Sequence, residues 1–317
     1  MHVHPAIAAL RSDRAPQRQA QAAMKAALDA WREETGVAGM LAHFDAFGAG
    51  AALEQCPGLD ELFTGQGAAE ALIASLARHL CGAIAANPLG HPSFRYAFDG
   101  CTGTLLLAKS GRAQLLLQSR EPGTFTSPCA SFTDGLRYDA TLAGRARATI
   151  LRIHGPREQV SFAEEEISLQ QGVRLAFDCS SEALTTSCVE QRLVTLRLLQ
   201  QTEHPEPGRE YCRMTGELRH LSAGSLAISR REMMAALLGR MERSEAAPVL
   251  AQMALAHDDA SLRWQALRES LALDTAEGFA ALTRIARRTD DPLSSDAAAL
   301  HARLVEDHPA LRQLEIA

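Results

Sequence analysis

At 317 residues the chain is too long for one small core and suits about two domains. Hydrophobic residues make up 46% and charged residues 22%, the ordinary globular range, which excludes a wholly disordered chain. The formal net charge of −6 argues against a dedicated nucleic-acid binder, because such affinity rests on neutralising phosphates.

Seven cysteines (Cys56, Cys81, Cys101, Cys129, Cys179, Cys188 and Cys212) form no CxxC pair and are odd in number. In a chain of this length they read as reduced thiols, so a cytoplasmic location is expected. The opening MHVHPAIAALRSDRAPQ has no basic n-region with a long apolar core, and no apolar run approaches the ~20 residues of a membrane helix. Neither export nor a membrane is expected.

Residues 1–90 read as helical. QAAMKAALDAWREE places Met24, Ala27, Leu28 and Trp31 on one face, and AAEALIASLARHLCGAIAAN does the same with Leu72, Ile73, Leu76, Leu80 and Ile84. Between them, glycines and Pro57 predict short helices and turns. Asn87-Pro88 ends the segment, since proline disfavours helix at the preceding residue.

From 91 to 228 the hydrophobic period becomes two. TLLLAKSGRAQLLLQS reads as a hairpin turning at Ser110-Gly111, and REYCRMTGELRHLS as another turning at Thr215-Gly216. In GVRLAFD, Val173, Leu175 and Phe177 alternate with Arg174, Ala176 and Asp178. RLVTLRLLQ is apolar on both parities, as in a strand covered on both faces. About ten such runs with turn signals between them predict a sandwich or barrel.

The strand spacing and the segment EEEISLQQGVRLAFD resemble the second half of a cupin-type jelly roll, in which a charged strand end leads through a glycine turn into a buried strand. The resemblance covers about residues 91–227. It departs from the family at the metal signature, which usually begins with two histidines one residue apart; after His2-Val3-His4 the chain has no such pair.

From 229 to 317 the period returns to 3.6. EAAPVLAQMALAHDD aligns with EGFAALTRIARRTDD at one offset of 32 residues: Leu250 with Leu282, Met253 with Ile285, Ala254 with Ala286, and Asp258-Asp259 with Asp290-Asp291. Leu267 and Leu300 correspond, as do Leu271 and Leu304. The aspartate doublets read as helix N-caps, with Pro292 at a first helical position, and Ser229 with Glu232 has capping-box spacing, as does Asp274 with Glu277. Spacing, paired helices and the pattern DDASLRWQAL resemble HEAT-type repeats over about residues 229–306. The resemblance implies stacked antiparallel helices that serve as an interaction surface.

Motifs of catalysis are sparse. GxSxG, HExxH and a Walker loop are absent. GAGAAL and GQGAAE lack the third glycine and the preceding strand of a dinucleotide fingerprint. His43-Phe44-Asp45 matches the HxD half of a facial triad but lies in the helical segment, where a chance tripeptide explains it. His91, His154 and His220 come from separate strands and would bind a divalent metal if they met in a jelly-roll mouth, with a carboxylate from Glu164, Glu165 or Glu166. The plainer reading is that no metal is held here, since the paired-histidine signature is missing and a run of three glutamates is more often a solvated strand end. Arg95-Tyr96 and Arg137-Tyr138 share a dipeptide on β segments, and an arginine inside the barrel would clamp a carboxylate or phosphate bidentately; the plainer reading turns both arginines outward. Arg284, Arg287 and Arg288 share a helix face, but the neighbouring acids dilute their field and nucleic acid is not expected.

These elements predict an α+β chain. An N-terminal helical segment (1–90) packs on a central cupin-like β-sandwich or barrel (91–228), and HEAT-like α-helical repeats follow (229–317). The leading expectation is a non-enzymatic binding or accessory protein. Its repeat surface would meet a protein partner or a second copy, and its β cavity would hold a small molecule through His91, Arg95, His154 and His220, with no metal or cofactor. The alternative is a cupin-type metal-dependent oxygenase or hydroxylase acting on a small molecule or peptide. There the histidines hold iron and Arg95 anchors an acid.

Overall fold

The computed structural model describes residues 13–256 and 259–315. They form two compact units: the described residues of Met1–Pro205 with Arg209–His220, and those of Glu206–Gly208 with Leu221–Ala317.

The first unit opens with helices α1 (Ala15–Glu33), α2 (Thr35–Ala49), α3 (Pro57–Thr64) and α4 (Ala68–Ala86). In α1 the predicted face is buried at Met24, Leu28 and Trp31. The broken stretch expected after it is present as helices and turns, with a 3-10 turn at Leu53–Gln55 and α3 opening on Pro57, but its first part is one 15-residue helix, α2, running through Gly36, Gly39 and Gly48. Glycine costs a helix only ~1 kcal/mol per interior position, and α2 offsets this by burying Val37, Met40, Phe44 and Phe47. Contrary to the sequence expectation, α4 is long and apolar enough to cross a bilayer, with mean hydropathy 1.3. In this fold it lies on protein: Leu72, Leu76 and Leu80 are buried, and Glu70 pairs with Arg174 at 2.8 Å.

Eleven strands follow: β1 (Arg95–Phe98), β2 (Thr102–Ser110), β3 (Ala113–Arg120), β4 (Gly123–Thr124), β5 (Cys129–Phe132), β6 (Gly135–His154), β7 (Ser161–Gln170), β8 (Arg174–Asp178), β9 (Glu182–Gln201), β10 (Gly208–Cys212) and β11 (Leu218–Ser222). Apart from Gly208, Leu221 and Ser222 they belong to the first unit. The main antiparallel sheet has the order β1-β2-β3-β9-β6-β7, with β4 paired to β9 and β8 to β6. Both predicted hairpins are present, as β2–β3 and β10–β11.

The 20-residue strands β6 and β9 pair along nearly their whole length, from Gly135 opposite Gln201 to Arg152 opposite Glu182. Their register shifts repeatedly between Thr141 and Ala148. At the centre Gly144 has φ +94°, and a Cβ there would lie 2.2 Å from the Arg192 carbonyl oxygen. Only glycine fits this bulge. On one side of it β6 and β9 are flanked by β8 and β3; on the other they are flanked by β7 and β4. One strand pair thus supplies two half-sheets.

Helices cover the outer face of the first half-sheet: Leu115, Ala140, Leu142, Leu196 and Leu198 pack with Trp31, Phe44 and Phe47. The expectation that RLVTLRLLQ is covered on both faces holds. A three-stranded sheet, β11-β10-β5, packs Ala130, Phe132 and Tyr211 against Leu151 and Val160.

The second unit contains α5 (Leu226–Arg240), α6 (Ala247–Leu255), α7 (Ala260–Leu273), α8 (Thr275–Ala286) and α9 (Ser294–Asp307). Leu250, Leu267, Phe279, Leu282 and Ile285 share its core. Asp259 and Asp274 cap α7 and α8 as expected, each accepting two backbone N–H bonds. Other caps differ. Helix α5 starts earlier, on Ser225, which leaves Ser229 inside it, and Glu232 accepts from the Ser261 hydroxyl. Helix α9 starts two residues beyond Pro292. Asp291 is drawn into a bidentate pair with Arg263 at 3.1 and 2.5 Å, both side chains buried. Asp258 lies outside the described residues.

Candidate anion-binding site

Alternation in β6 and β9 sends Arg137, Asp139, Thr141, Thr195 and Arg197 to the face opposite the helices. With Gln118 and Arg120 of β3 and Leu184 and Thr186 from the other half-sheet, they line a cavity of about 190 Å³. Leu169, Leu175 and Leu193 complete much of the apolar wall.

Asp139 is 3% exposed and stands directly opposite Arg197 in register. Arg197 Nε donates to its Oδ1 at 2.7 Å and Nη2 to its Oδ2 at 3.0 Å. Arg137, two residues before Asp139 on the same face, donates from Nε at 3.0 Å and also from Nη2. Burial alone would raise the Asp139 pKa, but the charges of Arg197 and Arg137 and their hydrogen bonds outweigh it and hold the carboxyl well below the usual carboxylate range. Arg137 also lies 5.2 Å over the Phe177 ring.

Arg120 differs. Its guanidinium sits 4.3 Å over the Phe125 ring, its Nε is buried without a partner, and it makes no ion pair with a described residue. Asp99 feels its charge weakly; that carboxyl is held low chiefly by the N–H groups of Cys101 and Thr102. Three guanidiniums therefore face the cavity against one carboxylate. A buried donor left unmade is costly, and a planar guanidinium presents the fork that a carboxylate matches. The lining can hold an organic anion, with hydroxyl donors from the threonines. It holds no histidine, cysteine or serine.

The residues singled out from sequence lie elsewhere. His91 precedes β1, and its carbonyl accepts from Gln21 Nε2 at 3.2 Å. Arg95 opens β1, His154 ends β6 and His220 lies in β11; all four side chains are exposed, and none lines the cavity. The histidine set of the metal-dependent alternative is not assembled, and among the described residues no three His, Cys, Asp or Glu side chains are grouped for a metal. Glu164 and Glu165 pair on the surface with Arg213 and Arg152. Of the two Arg-Tyr pairs, one places its arginine on the cavity, where its carboxylate partner is the protein's own Asp139. Arg137 points inward while Tyr138 packs on Phe47 and Phe63; Arg95 and Tyr96 are exposed. His43 accepts the Gly58 N–H at 3.1 Å, a structural bond. Arg287 and Arg288 follow the end of α8, so the predicted arginine face is not formed, and Arg288 donates to the Leu255 carbonyl.

Arg120, Asp139 and Arg197 escape a sequence reading. Their signals are slight: an arginine inside an apolar run, VTLRLL, and Asp139 two residues after Arg137.

No protein-family model matches the chain, and no curated protein matches it. Among solved structures it is similar to the 7S globulin of Momordica charantia, at 14% identity and TM-score 0.29 over 38% of this chain and 35% of that one. It is similar to Lactobacillus farciminis oxalate decarboxylase in a formate complex, at 13% and 0.28 over 35% and 31%. A third is a cupin-superfamily protein from Desulfitobacterium hafniense, at 18% and 0.24 over 33% and 83%. The chain spans about a third of the length of the first two. Likeness this partial carries no residue role to the present chain.

Proposed function

We propose that the protein is a non-enzymatic binding protein whose cupin-like β domain holds a small organic anion, without a resident metal. One observation carries the reading: Arg120 faces the cavity with a buried, unpartnered Nε, while Arg137 and Arg197 already share Asp139. Four leucines beside these charges favour a carboxylate with an apolar body over a bare inorganic ion.

The C-terminal helices, HEAT-like in their 32-residue spacing, are proposed to present a surface to a protein partner or a second copy. Support comes from α5, where Met233, Met234 and Leu237, with Met241 just after its end, are each more than half exposed.

Titration calorimetry with short-chain carboxylates and inorganic phosphate tests the cavity. A carboxylate should bind the wild type, and Arg120→Gln should weaken it about 10-fold or more, the equivalent of ~1.5–3 kcal/mol for a hydrogen bond to a charged group. Equal affinity in the variant, or no binding of any of these anions to the wild type, overturns the assignment.

A further inference from the structure

The three-stranded sheet carries a thiol pair that shares no residue with the cavity lining. Cys129 of β5 and Cys212 of β10 are directly opposite in antiparallel register. The Cys212 N–H donates to the Glu217 carbonyl at 2.9 Å and its C=O accepts from the Gly216 N–H at 2.8 Å, both on the β11 side; the next residue, Arg213, donates to the Pro128 carbonyl at 2.9 Å on the β5 side. Cys129 and Cys212 are therefore a non-hydrogen-bonded pair, the closer of the two kinds, with Cα atoms ~4.5 Å apart and side chains on one face. That separation falls within the ~4.4–6.8 Å span of disulfides, at its short end. Their neighbours Ala130 and Tyr211 point into the core, so the cysteines occupy the opposite face, where both are free and partly exposed.

The two thiols have unequal surroundings. The Thr215 hydroxyl, the Thr215 and Met214 N–H groups and Arg219 converge on Cys212 and bring its thiol down to about 7. The same hydroxyl also reaches Glu217 Oε2 at 3.2 Å. Gly216 fixes this turn at φ +73°, where a Cβ would lie 1.8 Å from the Val160 carbonyl oxygen. At Cys129, burial first, then the hydrogen bond and charge of Glu210 and the charge of Cys212, push the thiol up; Arg219 opposes them weakly. A thiolate beside a protonated thiol is the arrangement of an attacking and a resolving cysteine.

We propose that Cys212 and Cys129 form a redox-active dithiol that a hydroperoxide converts into a reversible cross-strand disulfide. The Cys212 thiolate attacks one oxygen of the O–O bond; that bond breaks, Cys212 becomes a sulfenic acid, and the other oxygen takes up a proton and leaves as water or alcohol. Cys129 then attacks the Cys212 sulphur, the S–O bond breaks, and hydroxide departs as water with the proton lost by Cys129. The two sulphurs give up two electrons and the hydroperoxide gains them. Two equivalents of an added thiol, or one dithiol, restore both cysteines: the first thiol forms a mixed disulfide, and the second displaces the cysteine and leaves as the reductant's own disulfide.

The test uses the full chain, reduced, exposed to limiting hydrogen peroxide, alkylated and mapped by peptide mass. The expected product is a Cys129–Cys212 cross-link, lighter by two hydrogens and abolished by dithiothreitol, with the other five cysteines alkylated. Cys129→Ser should accumulate a sulfenic acid on Cys212 that dimedone traps. Cys212→Ser should lose the cross-link and react about 10-fold more slowly at neutral pH, the ratio expected between a roughly half-ionised thiol and an ordinary one of pKa ~8.5. The wild-type map stands by itself if either variant misfolds. Cys212 oxidising no faster than the other cysteines, or cross-linking to a third cysteine or between chains while Cys129 stays free, overturns the proposal.

Discussion

Asp139 is the single negative charge among the ionised groups of the β cavity lining, and its two guanidinium partners depend on it. Its folded pKa lies below the unfolded value of ~3.9, so its contribution to stability is fully present above that value and is lost as pH falls through the folded pKa. Removing one partner of a buried pair costs ~3–5 kcal/mol because the other charge stays buried. Asp139→Asn should therefore lower stability by about that amount at neutral pH. A carboxylate ligand should restore part of the loss, since it would supply the missing charge to Arg137 and Arg197. Urea unfolding of the variant with and without the ligand measures both effects. At this scale the sequence is only partly informative. Alternation separates Arg137 from Tyr138, yet it cannot say which of two covered faces is the cavity. Arg197 is hidden for that reason, since Leu196 and Leu198 beside it pack under the helices.

The paired strands β6 and β9 work as one element because of Gly144. A side chain there meets the Arg192 carbonyl and a positive φ that L-residues rarely adopt. Backbone strain of this kind costs ~1–3 kcal/mol, and the clash adds to it. Gly144→Ala should lower the melting temperature and weaken anion binding together, since the bulge sets Asp139 and Arg197 on one half-sheet against Leu184 and Thr186 on the other. A variant that melts like the wild type and binds normally would show that the bulge is not needed. The bulge was not readable from ARATILRIH or RLVTLRLLQ, because period-two patterning marks a strand and is silent on where its register shifts. The hairpins and the helices α1 and α4 were readable, being strongly periodic with turn residues at their ends. Helix α2 was not: its glycines look like breaks, and only burial of its phenylalanines decides otherwise.

Across the whole molecule the change of hydrophobic period separates a sheet-built region from the C-terminal helices, and each unit holds a buried arginine–aspartate lock. In the second unit Arg263 donates to Asp291 through both terminal nitrogens and to the Ala254 carbonyl through Nε at 2.9 Å, which ties α7 to the end of α6 and to the loop before α9. Hydrogen bonding to Arg263 outweighs burial and lowers the Asp291 pKa. Its stabilisation therefore holds above ~3.9 and fades as pH drops through the folded value. Asp291→Asn should remove ~3–5 kcal/mol at neutral pH, because the buried Arg263 loses its counter-charge. The two tryptophans allow the effect to be located, with Trp31 in the first unit and Trp264 in the second. In urea, Asp291→Asn combined with Trp31→Phe should show the Trp264 transition at markedly lower denaturant than Trp31→Phe alone. The same substitution combined with Trp264→Phe should move the Trp31 transition much less, because Trp31 belongs to a core that shares no residue with the one around Arg263. Equal shifts at both tryptophans would mean that the two cores unfold as a single cooperative body.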